Sequence, residues 1–271
     1  MKNPRLARRT ANISPFRVMA LLAEARQLEA EGQDIIHLEI GEPDFPTAEP
    51  INQAGIAALQ QGITHYTPAL GLPELRHAIA ASYGPANPGA EAVVVTPGAS
   101  GALAVVFAAL LNPGDEVLLA DPGYPCNRHF VSLYDGVPRP IAVGPETDYQ
   151  LNAELINPHW TDNTVAVLLA SPSNPTGTLI ADNEMRAIAD VVQARGGVLI
   201  VDEIYHGLVY EGSSSSALAL ADDVFVVNSF SKFYGMTGWR VGWLVVPEAY
   251  RQTIDHLVQN MFCLLYTSDA A

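Results

Sequence analysis

One lysine stands where a reactive amine would be useful. Residues 228–243 read NSFSKFYGMTGWRVGW, so Lys232 directly follows a short Ser-Phe-Ser segment. The apolar residues before it, VFVVNSF, predict a buried strand. Partial burial lowers the pKa of a lysine amine and permits imine formation with an aldehyde. The pattern indicates carbonyl chemistry at Lys232, although a lone lysine is more often an ordinary surface residue.

An aldehyde cofactor such as pyridoxal phosphate also needs an acidic partner for its ring nitrogen and a clamp for its phosphate. Asp202 ends the apolar run GVLIV, where a pyridinium N–H would satisfy an otherwise costly carboxylate. Arg240, with Ser229 and Ser231, offers a charged grip on a phosphate. The segment TPGAS precedes a helical pattern and adds backbone N–H donors. These residues together predict a pyridoxal phosphate site.

Such a site requires an open sheet whose strands end at one edge. From residue 91, short apolar runs alternate with helical patterns, which predicts an α/β fold: a three-layer αβα domain with a mostly parallel sheet. A further short strand is predicted at DIIHLEI. Ligands of such sheets bind at the carboxyl ends of the strands. The polar segments that follow the apolar runs are 96–100, 121–124, 171–177, 202–205 and 229–232.

Composition narrows the partners. The chain has 271 residues and a net charge of −15, which argues against nucleic acid or an anionic membrane surface as the main partner. No apolar run approaches the length of a membrane span. Cys126 and Cys263 lack the spacing of a metal site. The sequence therefore predicts a cytoplasmic protein that binds small molecules and no metal.

Five segments give a specific resemblance: HYTPALGLPELR, DPGYP, SPSNPTG, DEIY and SFSKFYGMTGWRVGW. Together they resemble the class I aminotransferases, which are fold-type-I pyridoxal phosphate enzymes, from GEPDF at 41–45 to about residue 260. The resemblance implies a homodimer that moves an amino group between an L-amino acid and a 2-oxo acid through a lysine aldimine. It also implies an N-terminal helix and arm at 1–45, a cofactor-binding large domain at 46–247 and the start of an interdomain helix at 248–271.

The resemblance assigns roles to matching residues. Lys232 corresponds to the lysine of the aldimine and then to the amine that moves the substrate proton. Asp202 corresponds to the partner of the pyridine nitrogen. Tyr205 and Asn174 correspond to donors to the cofactor 3′-oxygen, and Tyr124 corresponds to the aromatic residue stacked on the ring. Lys232, Asp202 and Tyr205 are thus the expected catalytic residues.

Other matches concern the phosphate and the substrate. Tyr66 corresponds to a tyrosine that reaches the phosphate of the neighbouring subunit, which implies the dimer. Gly41, together with Asn174, corresponds to a contact with the substrate carboxylate. The implied phosphate binders within the subunit are Ser229, Ser231, Arg240, Ala99 and Ser100. His37, His65 and His206 match no role and are interpreted as structural or surface residues.

The resemblance also implies a small C-terminal domain beyond residue 271, with the arginine that binds the substrate α-carboxylate. No residue of this sequence matches that arginine. The last nine residues, CLLYTSDAA, do not resemble the family's helix. We therefore expect a truncated or frameshifted chain that binds cofactor weakly and transaminates poorly. A natural short form is the alternative.

Two other functions fit the same residues. A carbon–sulfur β-lyase shares the cofactor site and differs in what leaves the substrate. An inactive, truncated module that only binds or senses a ligand is the other possibility, although the cofactor residues are all in place. A nicotinamide-dependent dehydrogenase would need a G-x-G-x-x-G after a strand, and the sequence has none. Acidic, aromatic and small neutral amino acids all remain possible substrates.

Overall fold

The fold is built around one sheet of seven strands. The computed structural model describes residues 5–262. The strand order is β1-β7-β6-β5-β4-β2-β3, and β7 runs antiparallel to both of its neighbours while all other pairs are parallel. The strands are β1 (Val93–Thr96), β2 (Glu116–Asp121), β3 (Val137–Ala142), β4 (Thr164–Ala170), β5 (Val198–Asp202), β6 (Phe225–Ser229) and β7 (Gly242–Val245).

Helices cover both faces of this sheet and form two apolar cores. Their bounds are α1 (Arg17–Ala30), α2 (Glu49–Gln60), α3 (Pro73–Ser82), α4 (Gly98–Leu110), α5 (Cys126–Leu133), α6 (Ala153–His159), α7 (Asp182–Ala194) and α8 (Arg251–Met261). Helices α3, α6 and α7 pack on one face, and α4, α5 and α8 pack on the other. The predicted three-layer αβα fold with a mostly parallel sheet is confirmed.

The sequence of the strands explains why helices pack on both faces of the sheet. Successive residues of a strand point to opposite faces, and in β4 Val167 and Leu169 enter one core while Ala166 and Leu168 enter the other. Because both faces are buried, the central strands are continuously apolar. Polar residues can therefore collect only where these strands end.

The sequence predicted one strand that does not form and missed one that does. The segment DIIHLEI forms no strand, and Ile36 and Leu38 are 83% and 89% exposed because no neighbouring strand pairs with them. Strand β3 was missed because Pro138 and Pro140 lie within it. It pairs with β2 alone, and an edge strand tolerates proline because its other side needs no hydrogen bond.

The N-terminal segment packs loosely against the rest. Helix α1 buries one residue, Ala25, whereas α4 buries seven. Across residues 5–262, every helix is too short or too polar to cross a membrane. The final nine residues, which begin at Cys263 and were predicted to be atypical, lie outside the described residues.

Candidate active site

All five polar segments predicted from the sequence contribute to one cavity of about 510 Å³. It opens at the carboxyl edge of the parallel strands, as expected for an open α/β sheet. The predicted site residues that line it are Gly41, Ala99, Ser100, Tyr124, Asn174, Asp202, Tyr205, Ser231, Lys232 and Arg240. The convergence that the sequence predicted is therefore present.

Lys232 lies three residues beyond the end of β6 and projects into this cavity. Burial lowers the pKa of its amine, and the nearby positive charge of Arg240 lowers it further, while Glu42 acts in the opposite sense. The Nζ atom donates a hydrogen bond to the carbonyl of Gly41 and lies 5.9 Å from the centre of the Tyr205 ring. A lysine with these neighbours loses its proton more readily than a solvated one, which suits it for attack on a carbonyl group.

Asp202 is the last residue of β5 and is 7% exposed. Burial raises the pKa of its carboxyl to about 6, and the charge of Glu203 acts in the same direction. Its Oδ1 accepts a hydrogen bond from the Ile204 N–H at 3.0 Å. A buried carboxylate with a single described hydrogen bond needs a further donor or a cation. The cavity wall at Asp202 is therefore suited to a positively charged N–H group.

A tyrosine hydroxyl and an amide meet at another wall of the cavity. Asn174 Nδ2 donates a hydrogen bond to the Tyr205 hydroxyl oxygen at 3.2 Å. Burial raises the pKa of Tyr205, the charge of Asp202 adds to this effect, and the bond from Asn174 opposes it. Tyr205 therefore stays a neutral hydroxyl that retains its own proton to donate. Tyr124 also stays neutral, because burial raises its pKa.

The start of α4 and Arg240 form a compact group of anion-binding donors. Gly98 begins α4 with φ +68, and a Cβ atom on it would come within 2.6 Å of Arg240 Nη2. A side chain at this position would displace the guanidinium from where it now lies. Arg240 Nη1 lies 3.4 Å from Ser231 Oγ and 3.0 Å from the Thr237 carbonyl. The free N–H groups of the first helical turn and the guanidinium can bind a phosphate together.

Two predicted residues lie outside the cavity. Ser229 is 2% exposed; its Oγ lies 3.0 Å from the Val241 carbonyl and 2.9 Å from Ser231 Oγ. It stands behind Ser231 and positions that residue. Tyr66 is 80% exposed and lines no part of the cavity, so its predicted reach into a neighbouring subunit stays a prediction.

Comparison with known proteins identifies the family. The family model for aminotransferase class I and II matches residues 33–271. The chain belongs to the class I and II aminotransferases. It is 42% identical to a valine–pyruvate aminotransferase of Mycobacterium tuberculosis over 92% of this chain, and 38% identical to a probable aspartate/prephenate aminotransferase of Aquifex aeolicus over 93% of it. The chain spans 66% of the length of each of these two relatives.

Solved aminotransferase structures share the fold. A crystal structure of an aminotransferase from Mycobacterium tuberculosis superimposes with a TM-score of 0.94 at 40% identity, covering 99% of this chain and 71% of the other. An aspartate aminotransferase from Thermus thermophilus, solved with maleate, gives 0.93 at 32% identity, covering 98% and 71%. The similarity therefore extends through the whole described part of this aminotransferase chain.

Aminotransferases of this family use pyridoxal 5′-phosphate, and the cavity fits that group. The buried Asp202 carboxyl matches a pyridinium N–H, and the donors at Gly98 and Arg240 match a phosphate. Lys232 supplies the amine for the aldehyde, and Asn174 with Tyr205 supplies donors for a ring oxygen. Every polar group of the cofactor thus has a chemically complementary side chain within one cavity.

Sequence reasoning missed one wall of the cavity, which the N-terminal segment forms. Phe16, Val18, Met19, Glu39 and Ile40 line it. The Phe16 ring meets the Tyr124 ring edge-on at 6.1 Å. In the sequence Val18 and Met19 resemble ordinary residues of an amphipathic helix, so no local signal marks them as cavity lining.

The three histidines without a motif role differ in their surroundings. His37 Nδ1 lies 2.6 Å from Glu39 Oε1, and its Nε2 lies 2.9 Å from Glu29 Oε1. His206 faces the buried Glu203 at 3.5 Å, away from the cavity, and His65 is exposed. His37 is therefore the one of the three that is bonded to a residue of the cavity wall.

Proposed function

We propose that the protein is a pyridoxal phosphate-dependent aminotransferase that exchanges the amino group of an L-amino acid for the carbonyl oxygen of a 2-oxo acid. One observation carries this proposal: Lys232, the buried Asp202 and the donors around Arg240 face the same cavity. No one of them alone identifies a reaction. Together they match the aldehyde, the ring nitrogen and the phosphate of one cofactor.

When bound, the cofactor supplies an aldehyde that takes up the amino group and a ring that accepts electrons from the substrate. Asp202 would hold a proton on the ring nitrogen by accepting a hydrogen bond from it as a carboxylate. Lys232 would carry the proton removed from the substrate Cα, because burial lowers the pKa of its amine and makes the neutral, basic form more accessible than in a solvated lysine. Asn174 and Tyr205 would orient the ring by donating hydrogen bonds to its oxygen.

The remaining residues bind and position. Arg240, Ser231 and the N–H groups at Ala99 and Ser100 would hold the phosphate, with Ser229 supporting Ser231 from behind. Tyr124 would lie against the ring face. The Gly41 carbonyl contacts Lys232, which supports a role for the adjoining backbone in binding the substrate carboxylate.

A homodimer and the division at residues 45 and 247 complete the proposal. The exposed Tyr66 is consistent with a contact to a second subunit, since a large aromatic residue at 80% exposure gains by burial there. The relatives' names include valine–pyruvate and aspartate/prephenate enzymes. Both aliphatic and acidic substrates therefore occur among proteins similar to this chain.

The chain offers a clean test because it contains two lysines, Lys2 and Lys232. Pyridoxal phosphate is added to the purified protein, the visible spectrum is recorded, and borohydride then fixes the cofactor to the amine that holds it. We expect the label on Lys232 in the wild type and in Lys2→Arg, and its loss in Lys232→Arg. Labelling of Lys2 alone would contradict the proposal.

Activity is tested on the same preparation. Amino acids should convert the bound aldehyde form to the amine form, with release of one 2-oxo acid per site. Release of pyruvate and ammonia from a cysteine conjugate, with the aldehyde form retained, would indicate a β-lyase instead. A labelled protein that reacts with no amino acid would be a binding module.

A further inference from the structure

We propose that the amino-acid substrate of this site carries an apolar side chain, and that Glu39 excludes substrates with a second carboxylate. The inference rests on the proposed function and specifies the substrate class of the same cavity. It depends on the part of the cavity lining that the N-terminal segment forms. Apolar side chains and one fixed negative charge make up that wall.

The apolar side chains of this wall remain partly exposed to solvent. Phe16, Val18, Met19 and Ile40 line the cavity that also holds Lys232, and Met19 is 53% exposed. Each is only partly buried or exposed, so each still contacts water. A ligand side chain that displaces this water gains roughly 25 cal/mol for each Å² of apolar area removed from it. Aliphatic and aromatic side chains make that gain, whereas a carboxylate does not.

The fixed charge belongs to Glu39, whose side chain is 7% exposed. His37 holds it by the 2.6 Å contact, and Glu29 holds the other ring nitrogen of His37. A ring nitrogen beside a carboxylate is satisfied when it donates, so a histidine between two carboxylates is most stable as the cation. The bond from His37 lowers the pKa of Glu39, and the bonds to both carboxylates raise the pKa of His37.

The net charge of this trio is negative. Two carboxylates and one imidazolium sum to −1, so His37 orients Glu39 without removing the negative charge of the wall. Glu42 lies close enough to Lys232 for its charge to raise the pKa of the amine, which adds a second negative group on the same side. A further carboxylate brought here by a substrate would be repelled.

No cation in the described lining remains to compensate. Within residues 5–262 the cationic side chains of the cavity lining are Lys232 and Arg240, and the proposed function assigns both to the cofactor. A dicarboxylic amino acid would thus place its distal group between apolar side chains and Glu39. Discrimination by an unpaired or repelled charge is the means by which a site rejects a ligand of similar size.

The test compares leucine, asparagine and aspartate, which are similar in size and differ in charge and polarity. The cofactor-loaded chain is mixed with each, and the decay of the visible band gives the rate constant per molar amino acid. We expect leucine to react fastest and aspartate slowest, with a ratio of at least about tenfold, which corresponds to 1.4 kcal/mol. Equal rates for leucine and aspartate would overturn the proposal.

Two variants test whether the charge of the wall causes the preference for leucine over aspartate. Glu39→Gln keeps the shape and removes the charge, so the ratio of the rate with aspartate to the rate with leucine should rise about tenfold. Met19→Lys supplies a cation at the same wall on a helix that accepts lysine, so it should favour aspartate and disfavour leucine. Glu24→Gln, an exposed acid on α1, is the matched control and should change neither rate.

A readout independent of turnover uses the 2-methyl forms of leucine and aspartate, which lack the Cα hydrogen and only bind. Their dissociation constants should show the same order and the same response to Glu39→Gln. An unchanged ratio in that variant would overturn the role of Glu39. Failure of every amino acid to react or bind, with Lys232 still labelled, would overturn the proposed function and the substrate class with it; reaction without preference overturns the substrate class alone.

Discussion

At the residue scale, the Asp202 carboxyl couples cofactor binding to stability. Its pKa is about 6 in the folded chain, above the ordinary 3.8, chiefly because burial disfavours the charged form. The folded state therefore binds the proton more tightly than the unfolded state does. The stability that this group contributes is present below pH 4 and is lost as the pH rises through 6, by on the order of 1–3 kcal/mol.

Asp202→Asn tests this coupling in the cofactor-free protein. The amide carries no charge and can still accept the bond from Ile204, so the variant should gain stability relative to wild type between pH 4.5 and pH 8. Urea denaturation at both pH values measures the change. The same variant should bind pyridoxal phosphate at least about tenfold more weakly, because the ring N–H loses its carboxylate. Asp34→Asn, at an exposed site, should show neither effect, and parallel pH profiles for wild type and Asp202→Asn would refute the coupling.

At the element scale, the first turn of α4 depends on Gly98. Replacing it with alanine combines two costs: a positive φ of +68 and a Cβ within 2.6 Å of Arg240 Nη2. Gly114→Ala is the matched control, since its φ is +95 and nothing lies within 4 Å of the added atom. Both variants should lose about 1 kcal/mol of stability to the strained φ, and Gly98→Ala should lose more because the guanidinium must also move. Only Gly98→Ala should also weaken cofactor binding, by about tenfold or more in a titration of the visible band.

Comparing the two variants separates the effect of backbone strain, which both share, from the effect of moving the Arg240 guanidinium, which only Gly98→Ala causes. If Gly98→Ala binds pyridoxal phosphate as tightly as Gly114→Ala, the start of α4 is not the phosphate site. Inorganic phosphate provides a second check, because it should compete with the cofactor in wild type and lose most of that effect in Gly98→Ala.

The elements also show what local sequence can predict. Central strands such as β4 are recognisable because both faces are buried, and the polar residues after them mark the site. Strand β3 could not be predicted, because its prolines argue against a strand unless its position at the sheet edge is known. The antiparallel direction of β7 and the cavity wall at Phe16 and Glu39 both depend on contacts between segments far apart in the chain. No periodicity within either segment encodes them.

At the scale of the whole molecule, a tightly packed αβα body carries a loosely attached N-terminal segment. Side chains join the two at a few points. Arg9 pairs with Asp135, Phe16 meets Tyr124, and the Gly41 carbonyl accepts a hydrogen bond from Lys232. Local opening needs less free energy where few apolar groups are buried. The segment that forms the substrate wall is therefore the part of the described chain that should open most readily.

Hydrogen exchange followed by mass spectrometry measures this difference. Amides of α1 should exchange at least about a hundredfold faster than those of α4, which buries seven residues against one for α1. Adding pyridoxal phosphate and 2-methyl-leucine should slow exchange in α1, because the apolar ligand would contact Phe16 and Met19 in the cavity lining. Helix α7, which packs on the face of the sheet opposite α4, is the internal control, and its exchange rate should not change. Equal protection of α1 and α4 in the free protein would contradict a loosely held segment, and protection by 2-methyl-aspartate as strong as that by 2-methyl-leucine would contradict an apolar substrate wall.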